Sequence, residues 1–171
     1  MDLTIKMDDY KLNIRATAII IHNNKLLTHK DKNYDHYALI GGRVQEGEDS
    51  KTTVEREILE ETGKKIQILD YACTIENFFE AEGQKFHELM FTYNAEFKDE
   101  EDKKIEETIN NIEGKEDLHY EWIDLNKIDE YNLVPHTLKD ILKKRQFPVH
   151  IINDDIKWRR IKYATSKIKF R

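Results

Sequence analysis

Two neighbouring segments, Ile66 to Phe79 and Lys85 to Phe97, are the longest β-type pattern in the sequence. Both are rich in β-branched and aromatic residues. They are joined through Glu82 and Gly83, and a glycine in so short a connection is typical of a hairpin turn. We therefore predict a long β-hairpin, which excludes an all-helical fold.

Shorter segments on both sides of this hairpin complete the predicted fold. Strand-like patterns cover Leu12–Ile21, Lys25–His29, Tyr37–Ile40 (stopping at Gly41-Gly42), His119–Ile123, Val149–Ile152 and Ile156–Phe170. Helices are predicted at Asp49–Thr62, with Asp49 or Ser50 as N-cap and Gly63 as stop, and at Pro135–Lys144, with the proline in its first turn. The segment 98–115 is too charged for a core element and is predicted to be a loop, with a helical turn as an alternative for part of it. Strands interleave with two helices, so the fold class is α/β or α+β with a mixed sheet.

The composition suits a single soluble domain. The 171 residues are 39% hydrophobic and 36% charged, and no apolar stretch approaches the roughly 20 residues that cross a bilayer. The first ten residues carry charges where a signal peptide would be apolar. The single cysteine, Cys73, cannot form an internal disulfide, and no Cys/His spacing suggests zinc. We therefore expect a cytoplasmic protein with no membrane partner.

Charge is unevenly distributed along the chain. The formal net charge of −6 argues against general nucleic-acid binding. Residues 96–121 hold 11 acidic and 4 basic side chains, whereas residues 157–171 hold 7 basic and no acidic ones. The basic segment can be a solvated edge strand kept soluble by its lysines, or a contact for phosphates, a partner or the acidic loop.

Three glutamates are predicted to share one face of the first helix. Glu57, Glu60 and Glu61 stand at i, i+3 and i+4, and Glu48 enters from the preceding loop. Such a cluster invites a counter-cation, and oxygen-only ligands favour Mg²⁺ or Mn²⁺ over zinc. Arg56 is placed to hold neighbouring carboxylates with its forked guanidinium. Three glutamates alone are most often a solvated face, but here two glycines precede them and allow close backbone approach to a ligand.

The stretch from Gly42 to Gly63 resembles the Nudix box, G-x5-E-x7-R-E-U-x-E-E-x-G-U, where U is aliphatic. The matching residues are Gly42, Glu48, Arg56, Glu57, Ile58, Glu60, Glu61 and Gly63. Lys64 replaces the final aliphatic residue, and Ile40 stands where relatives often have proline. The resemblance covers about residues 13–144 of a single domain spanning 1–171, and leaves a basic C-terminal extension, 145–171.

The resemblance implies a fold, a metal site and a reaction. The fold would be an α/β/α sandwich with a mixed β-sheet. Glu57 and Glu61 would be core metal ligands, with Glu60 assisting and the Gly42 carbonyl close to the metal. Water would attack a phosphorus in a nucleoside diphosphate linked to another group, giving two phosphorylated products or a nucleotide plus phosphate. Relatives often add an acidic residue before a strand like the one that holds Trp122; Glu116 is our candidate here, with Glu106 and Glu107 as alternatives.

The substrate is left open by the sequence. The segment Glu76 to Phe79, with His87-Glu88 across the hairpin, resembles a bacterial Nudix subgroup. Phe78 and Phe79 point to opposite faces of a strand, so one can belong to the core and the other, Phe79 in our prediction, can stack on a base. The alternative is that both pack against helices. His87 is a candidate phosphate contact or proton shuttle, and equally a surface residue. The predicted rim residues for a nucleoside are Tyr34, His36 and Tyr37. Nucleoside triphosphates, nucleotide sugars and dinucleoside polyphosphates all remain candidates.

Two other functions compete with the hydrolase. A non-catalytic nucleotide-sensing module would fit a chain that had lost box carboxylates, but all are present. An RNA 5′-end pyrophosphohydrolase would need a basic RNA-binding surface, and only the segment 157–171 qualifies. A homodimer is common in this family, although no interface is indicated.

Overall fold

The predicted hairpin is the longest feature of the computed structural model, which describes residues 1–104, 109–114 and 117–157. Glu82 and Gly83 form its two-residue turn, both with positive φ. The strands are β1 (Thr4–Lys6), β2 (Tyr10–His22), β3 (Lys25–Asp31), β4 (Tyr37–Arg43), β5 (Ile66–Ala81), β6 (Gln84–Phe97), β7 (Ile109–Asn110), β8 (Leu118–Asp124), β9 (Leu133–Val134) and β10 (His150–Asp154). The α-helices are α1 (Ser50–Thr62) and α2 (Thr137–Lys144), and 3₁₀ helices cover Glu100–Lys103 and Leu125–Glu130.

The strands form a mixed sheet, as predicted. Its order is β10-β5-β6-β2-β4-β3-β8-β7, with β1 beside β2 and β9 beside β4. β10 runs parallel to β5, β6 to β2, and β9 to β4, while the other pairs are antiparallel. The sheet has two halves, one with β10, β5, β6 and β1, the other with β3, β8, β7 and β9. The halves meet along β2 and β4, which pair with each other and both pair with β3.

One helix packs on each face of this sheet. Alternating residues of β2 explain the layers. Ala16, Ala18 and Ile20 share a buried cluster with Val54 and Ile58 of α1. Ile19, on the opposite face, belongs to a second cluster with Leu138 and Leu142 of α2. The result is the predicted α/β/α sandwich.

Helix α1 begins and ends where the sequence predicts. The Asp49 carboxylate accepts hydrogen bonds from the backbone N–H groups of Lys51 and Thr52, both at 2.9 Å, which satisfies two of the unpaired donors of the first turn. Gly63, with φ of 71°, ends the helix and donates its N–H to Leu59. These caps fix the helix that carries the glutamates.

The structure corrects four details of the sequence prediction. β4 does not stop at Ile40 but continues to Arg43. Helix α2 begins at Thr137, so Pro135 precedes its first turn. The charged segment 98–115 contains, besides the helical turn that was allowed for, the unpredicted strand β7, which pairs with β8. Residues 155–157 are helical rather than extended. The rest of the predicted strand that starts at Ile156 lies outside the described residues.

No helix in the described ranges is long and apolar enough to cross a membrane. The C-terminal extension is not wholly separate from the domain, because β10 adds a strand to the sheet beside β5.

Candidate active site

Arg56 lies at the centre of the carboxylate cluster on α1. Its guanidinium donates two hydrogen bonds to Glu48, from Nε to Oε1 at 2.8 Å and from Nη2 to Oε2 at 2.9 Å. Nη1 donates to Glu57 at 2.8 Å and to Glu60 at 2.9 Å. The predicted role of Arg56 as a fork for the carboxylates agrees with this geometry.

Glu48 is held from several sides. Besides Arg56, the Thr53 hydroxyl donates to its Oε2 at 2.8 Å and the Gln45 N–H at 3.3 Å. The Arg56 hydrogen bonds, supported by Thr53 and Gln45, lower the pKa of Glu48 to about 2. The same contacts raise the pKa of Arg56 above its ordinary value, with Glu48 as the largest cause. Glu48 is therefore a fixed anion that orients the arginine.

Two adjacent glycines bring the β4 backbone against α1 and β2. A Cβ on Gly42 would lie 2.0 Å from Cδ of Glu57, so only glycine leaves room for that carboxylate. Gly41 has φ of 138°, and a Cβ there would lie 2.2 Å from the Ala16 carbonyl oxygen. The Glu57 carboxylate therefore lies directly on the backbone of Gly42.

Glu61 completes the cluster from a more enclosed position. Its side chain faces the interior and the residue is only 5% exposed. Burial and the neighbouring Glu61 charge raise the pKa of the Tyr120 hydroxyl, which accepts a 3.0 Å hydrogen bond from the Asn111 amide. The Ile112 N–H also binds the Glu61 carbonyl oxygen at 2.9 Å. Residues 109–114 thus pack against the second half of α1.

The donor set fits a hard divalent cation. Glu48, Glu57, Glu60 and Glu61 bring four negative charges against one positive charge on Arg56, a net of −3. All the donors are oxygens, the preference of Mg²⁺ and Mn²⁺. Within the described residues no three acidic, histidine or cysteine side chains converge as a preformed metal centre; Glu57 and Glu60 are turned towards Arg56. The charge and donor chemistry are suitable for the cation, and its coordination is a proposal.

A cavity of about 710 Å³ is lined by residues from both halves of the sheet, and neither Arg56 nor any of the four glutamates is among them. Its volume lies in the range of small-molecule sites. One wall is built from Arg15, Asn77, Phe79, Glu88 and Met90 of β2, β5 and β6. The opposite wall includes His29, Tyr34, His36, Asn132 and His136.

Arg15 connects the cavity with the glutamate helix. Its Nη2 donates to the Gly41 carbonyl oxygen at 2.7 Å. Gly41 is next to Gly42, on which the Glu57 carboxylate lies. Among the described residues that line the cavity, Arg15 is the one with a permanent positive charge. The cavity can therefore receive a molecule whose anionic end lies at Arg15.

The predicted substrate residues separate into two groups. Tyr34 and Phe79 line the cavity. Tyr37 does not; its ring packs against Tyr131 and its hydroxyl binds Glu121 at 3.3 Å. His87 lies on the other face of the hairpin, where Nε2 binds Glu76 at 2.9 Å.

The acidic candidates of the charged loop are not placed. Glu116, Glu106 and Glu107 lie outside the described residues, and a role for any of them stays a prediction. Sequence analysis missed Arg15, Asn132 and His136, and treated Asn77 and Glu88 only as part of a pattern. The alternation of β2, β5 and β6 was the available signal for three of these, whereas Asn132 and His136 lie near short β9 and carry no such periodicity.

Comparisons with known proteins agree with the observed fold. A model of the NUDIX domain matches residues 12–144, most of the chain. Two solved structures superpose well. A MutT NUDIX hydrolase from Burkholderia pseudomallei has a TM-score of 0.56 and 22% sequence identity, over 77% of this chain and 96% of that one. An ADP-ribose pyrophosphatase from Streptococcus suis has a TM-score of 0.55 and 13% sequence identity, over 84% of this chain and 98% of that one. A UDP-X diphosphatase also aligns (0.56, 15%), over 81% of this chain and 66% of its own length. No protein with a curated description matched the sequence.

Proposed function

Because the chain belongs to the Nudix family and is a Nudix hydrolase, we propose that it is a Mg²⁺-dependent pyrophosphohydrolase acting on a nucleoside diphosphate linked to another group. One observation carries the proposal: Arg15, in the wall of a cavity of nucleotide size, binds the carbonyl of Gly41, and the next residue, Gly42, lies against the Glu57 carboxylate of the carboxylate helix. The anionic end of a nucleotide would be attracted to Arg15 and to a cation on the glutamates.

The residues divide the work of the reaction. Glu57, Glu60, Glu61 and the Gly42 carbonyl would hold the cation. When bound, Mg²⁺ supplies polarisation of the phosphate oxygens and a lower pKa for the attacking water. Arg56 keeps Glu57 and Glu60 in position through its two 2.8–2.9 Å hydrogen bonds, and Glu48 holds Arg56. Arg15 would orient the phosphates for in-line attack.

Specificity for the rest of the substrate would come from the cavity walls. Phe79 and Tyr34 offer aromatic surface for a base or a sugar, while His36 and His136 add polar contacts. Burial lowers the pKa of His36, which favours the neutral ring at neutral pH. Such a ring can donate one hydrogen bond and accept another. Solved neighbours act by name on ADP-ribose and UDP derivatives, and both classes belong in the substrate test.

The test is a hydrolysis screen over nucleoside triphosphates, nucleotide sugars, dinucleoside polyphosphates and 5′-triphosphorylated RNA, with Mg²⁺, with Mn²⁺ and with a chelator. Binding of the same nucleotides is measured in parallel. We expect turnover only with a divalent cation. Glu57→Gln and Glu61→Gln should each lower kcat by about 10²-fold or more, because a lost cation ligand removes several kcal/mol of transition-state stabilisation. Glu55→Gln is a matched control, since Glu55 is an exposed glutamate on the same helix.

Each alternative has its own outcome in this screen. Full activity of either glutamine variant would show that the cation ligands are misassigned. Nucleotide binding without any turnover would favour the sensing module. Turnover of 5′-triphosphorylated RNA alone, with strong salt dependence, would favour the RNA-end enzyme. A homodimer stays a prediction that sedimentation can examine.

A further inference from the structure

Glu88 is a buried acid in the cavity wall that the proposed reaction does not use. It lies on β6, is 7% exposed and lines the cavity. Among the described residues, none forms a hydrogen bond or an ion pair with its carboxylate. The carboxylate of a cavity-lining glutamate that has no protein partner is available to accept hydrogen bonds from the N–H donors of a ligand.

Asn77 is the cross-strand neighbour of Glu88 on the same cavity wall. The two residues are directly paired in the β5–β6 register, so their side chains stand side by side. Asn77 is 6% exposed and also lines the cavity. The cavity wall therefore presents a carboxylate and an amide together.

The orientation of the Asn77 amide follows from its partners. Asn153 of β10 accepts the Thr137 N–H on its Oδ1 at 3.4 Å. A backbone N–H can only donate, so Asn153 must direct its Nδ2 to Asn77, where it binds Oδ1 at 2.8 Å. The Nδ2 group of Asn77 is thereby left for the cavity. The wall offers two acceptor oxygens on Glu88 beside one donor on Asn77.

Among the common nucleobases, one edge matches this order. Adenine and cytosine each present one amino donor next to a ring-nitrogen acceptor, and uracil places one N–H between two carbonyls. Guanine presents two adjacent donors, N1–H and the 2-amino group, next to the O6 acceptor. Both oxygens of a carboxylate can accept from adjacent donors in a bidentate pair.

We propose that Glu88 and Asn77 read the Watson–Crick edge of guanine, so that the substrate is a guanine nucleoside diphosphate derivative. The inference rests on the proposed function for the phosphate end. Phe79, two residues from Asn77 on the same strand face, supplies aromatic surface for the base. Arg15 is level with Met90, two residues along β6 from Glu88, and leads towards Gly41 and α1. Base and phosphates thus have separate places in one cavity.

Binding of GDP, IDP and ADP to the metal-free protein, measured by calorimetry with a chelator present, tests the base preference without hydrolysis. We expect GDP to bind at least about 10-fold more tightly than ADP, because a good bidentate pair discriminates by about 1–3 kcal/mol. IDP lacks the 2-amino group and should fall between them.

Glu88→Gln is the most informative variant. Glutamine presents one donor and one acceptor, which complement adenine, so the GDP-to-ADP preference should fall about 10- to 100-fold. Glu80→Gln makes the same charge change at an exposed position at the cavity mouth and should keep the wild-type ratio. Asn77→Asp, of equal size, removes the donor to O6 and should also lower the ratio. Thermal unfolding of each variant checks that it is folded.

The inference is overturned if the wild-type protein binds GDP and ADP equally, or if folded Glu88→Gln and Asn77→Asp both keep the wild-type ratio. Hydrolysis is scored separately. A protein that prefers GDP but hydrolyses no nucleotide would retain the base preference and refute the proposed reaction. A protein that hydrolyses adenine or uracil derivatives without any preference for GDP would retain the proposed reaction and refute the base preference.

Discussion

Replacing Glu48 by glutamine should make the free energy of unfolding of the protein depend far less on pH in the acidic range. Glu48 has a side-chain exposure of 13% and accepts two hydrogen bonds from Arg56. These bonds are the largest cause of the lowered pKa of Glu48, about 2 against an ordinary value of 4.5. Because the folded-state pKa is depressed, the stabilisation is complete above pH 4.5 and is lost as the pH falls towards 2.

The size of the effect follows from the shift. A pKa difference of about 2.5 between folded and unfolded states corresponds to about 3 kcal/mol at neutral pH. For a domain of this size, 1 kcal/mol moves the Tm by about 2–4 °C, so Glu48→Gln should lower the Tm by roughly 6–12 °C at pH 7. At pH 2 the carboxyl of the folded wild-type protein is about half protonated, most of the stabilisation is lost, and the two proteins should differ little.

Urea unfolding of the metal-free protein from pH 7 to pH 2 measures this difference directly. The matched control is Glu55→Gln, an exposed glutamate on the same helix, which should stay within about 0.5 kcal/mol of wild type. A wild-type-minus-Glu48→Gln difference below about 1 kcal/mol at pH 7 would refute the reasoning. So would a difference that stays constant down to pH 2.

Three further perturbations follow from the same structure. Gly42→Ala would place a Cβ 2.0 Å from Cδ of Glu57, so kcat with Mg²⁺ should fall about 10-fold or more while the Tm changes little; unchanged kcat would contradict the close approach. Tyr120→Phe removes a buried hydroxyl bound by Asn111 and should lower the free energy of unfolding by about 1–3 kcal/mol in urea titrations. Burial raises the pKa of the Cys73 thiol to about 11, so Ellman's reagent at pH 8 should react only after denaturant is added.

The sequence was most informative where local rules act alone. Helix α1 was predicted because Asp49 can cap it and Gly63 can end it, and both do so. The hairpin was predicted because a two-residue turn fixes its own register. Helical spacing likewise placed Glu57 and Glu60 beside Arg56.

The sequence predicted the position of a side chain less well where that position depends on packing against another element. A strand pattern shows that Phe78 and Phe79 face opposite ways, but only the packed sheet assigns Phe79 to the cavity. The same holds for His87, which lies one residue from Glu88 and therefore on the other face. Gly41 looked like the end of β4, because glycine weakens strands in general. Here the strand continues through Gly41 because residues 41–43 pair with residues 15–17 of β2. The Ala16 carbonyl oxygen leaves no space for a Cβ, which explains why this position is a glycine.

Strand β10 covers the edge of the sheet that β5 would otherwise form. It pairs with β5 from Thr74 to Phe78, and it comes after residue 144, where the family match ends. If β10 detached, every second residue of this five-residue segment of β5 would present unpaired N–H and C=O groups, a template for strands of other molecules. A detached β10 could equally pair with the β5 of a second chain and exchange strands between copies. Resistance to aggregation therefore depends on a segment that the family domain does not include.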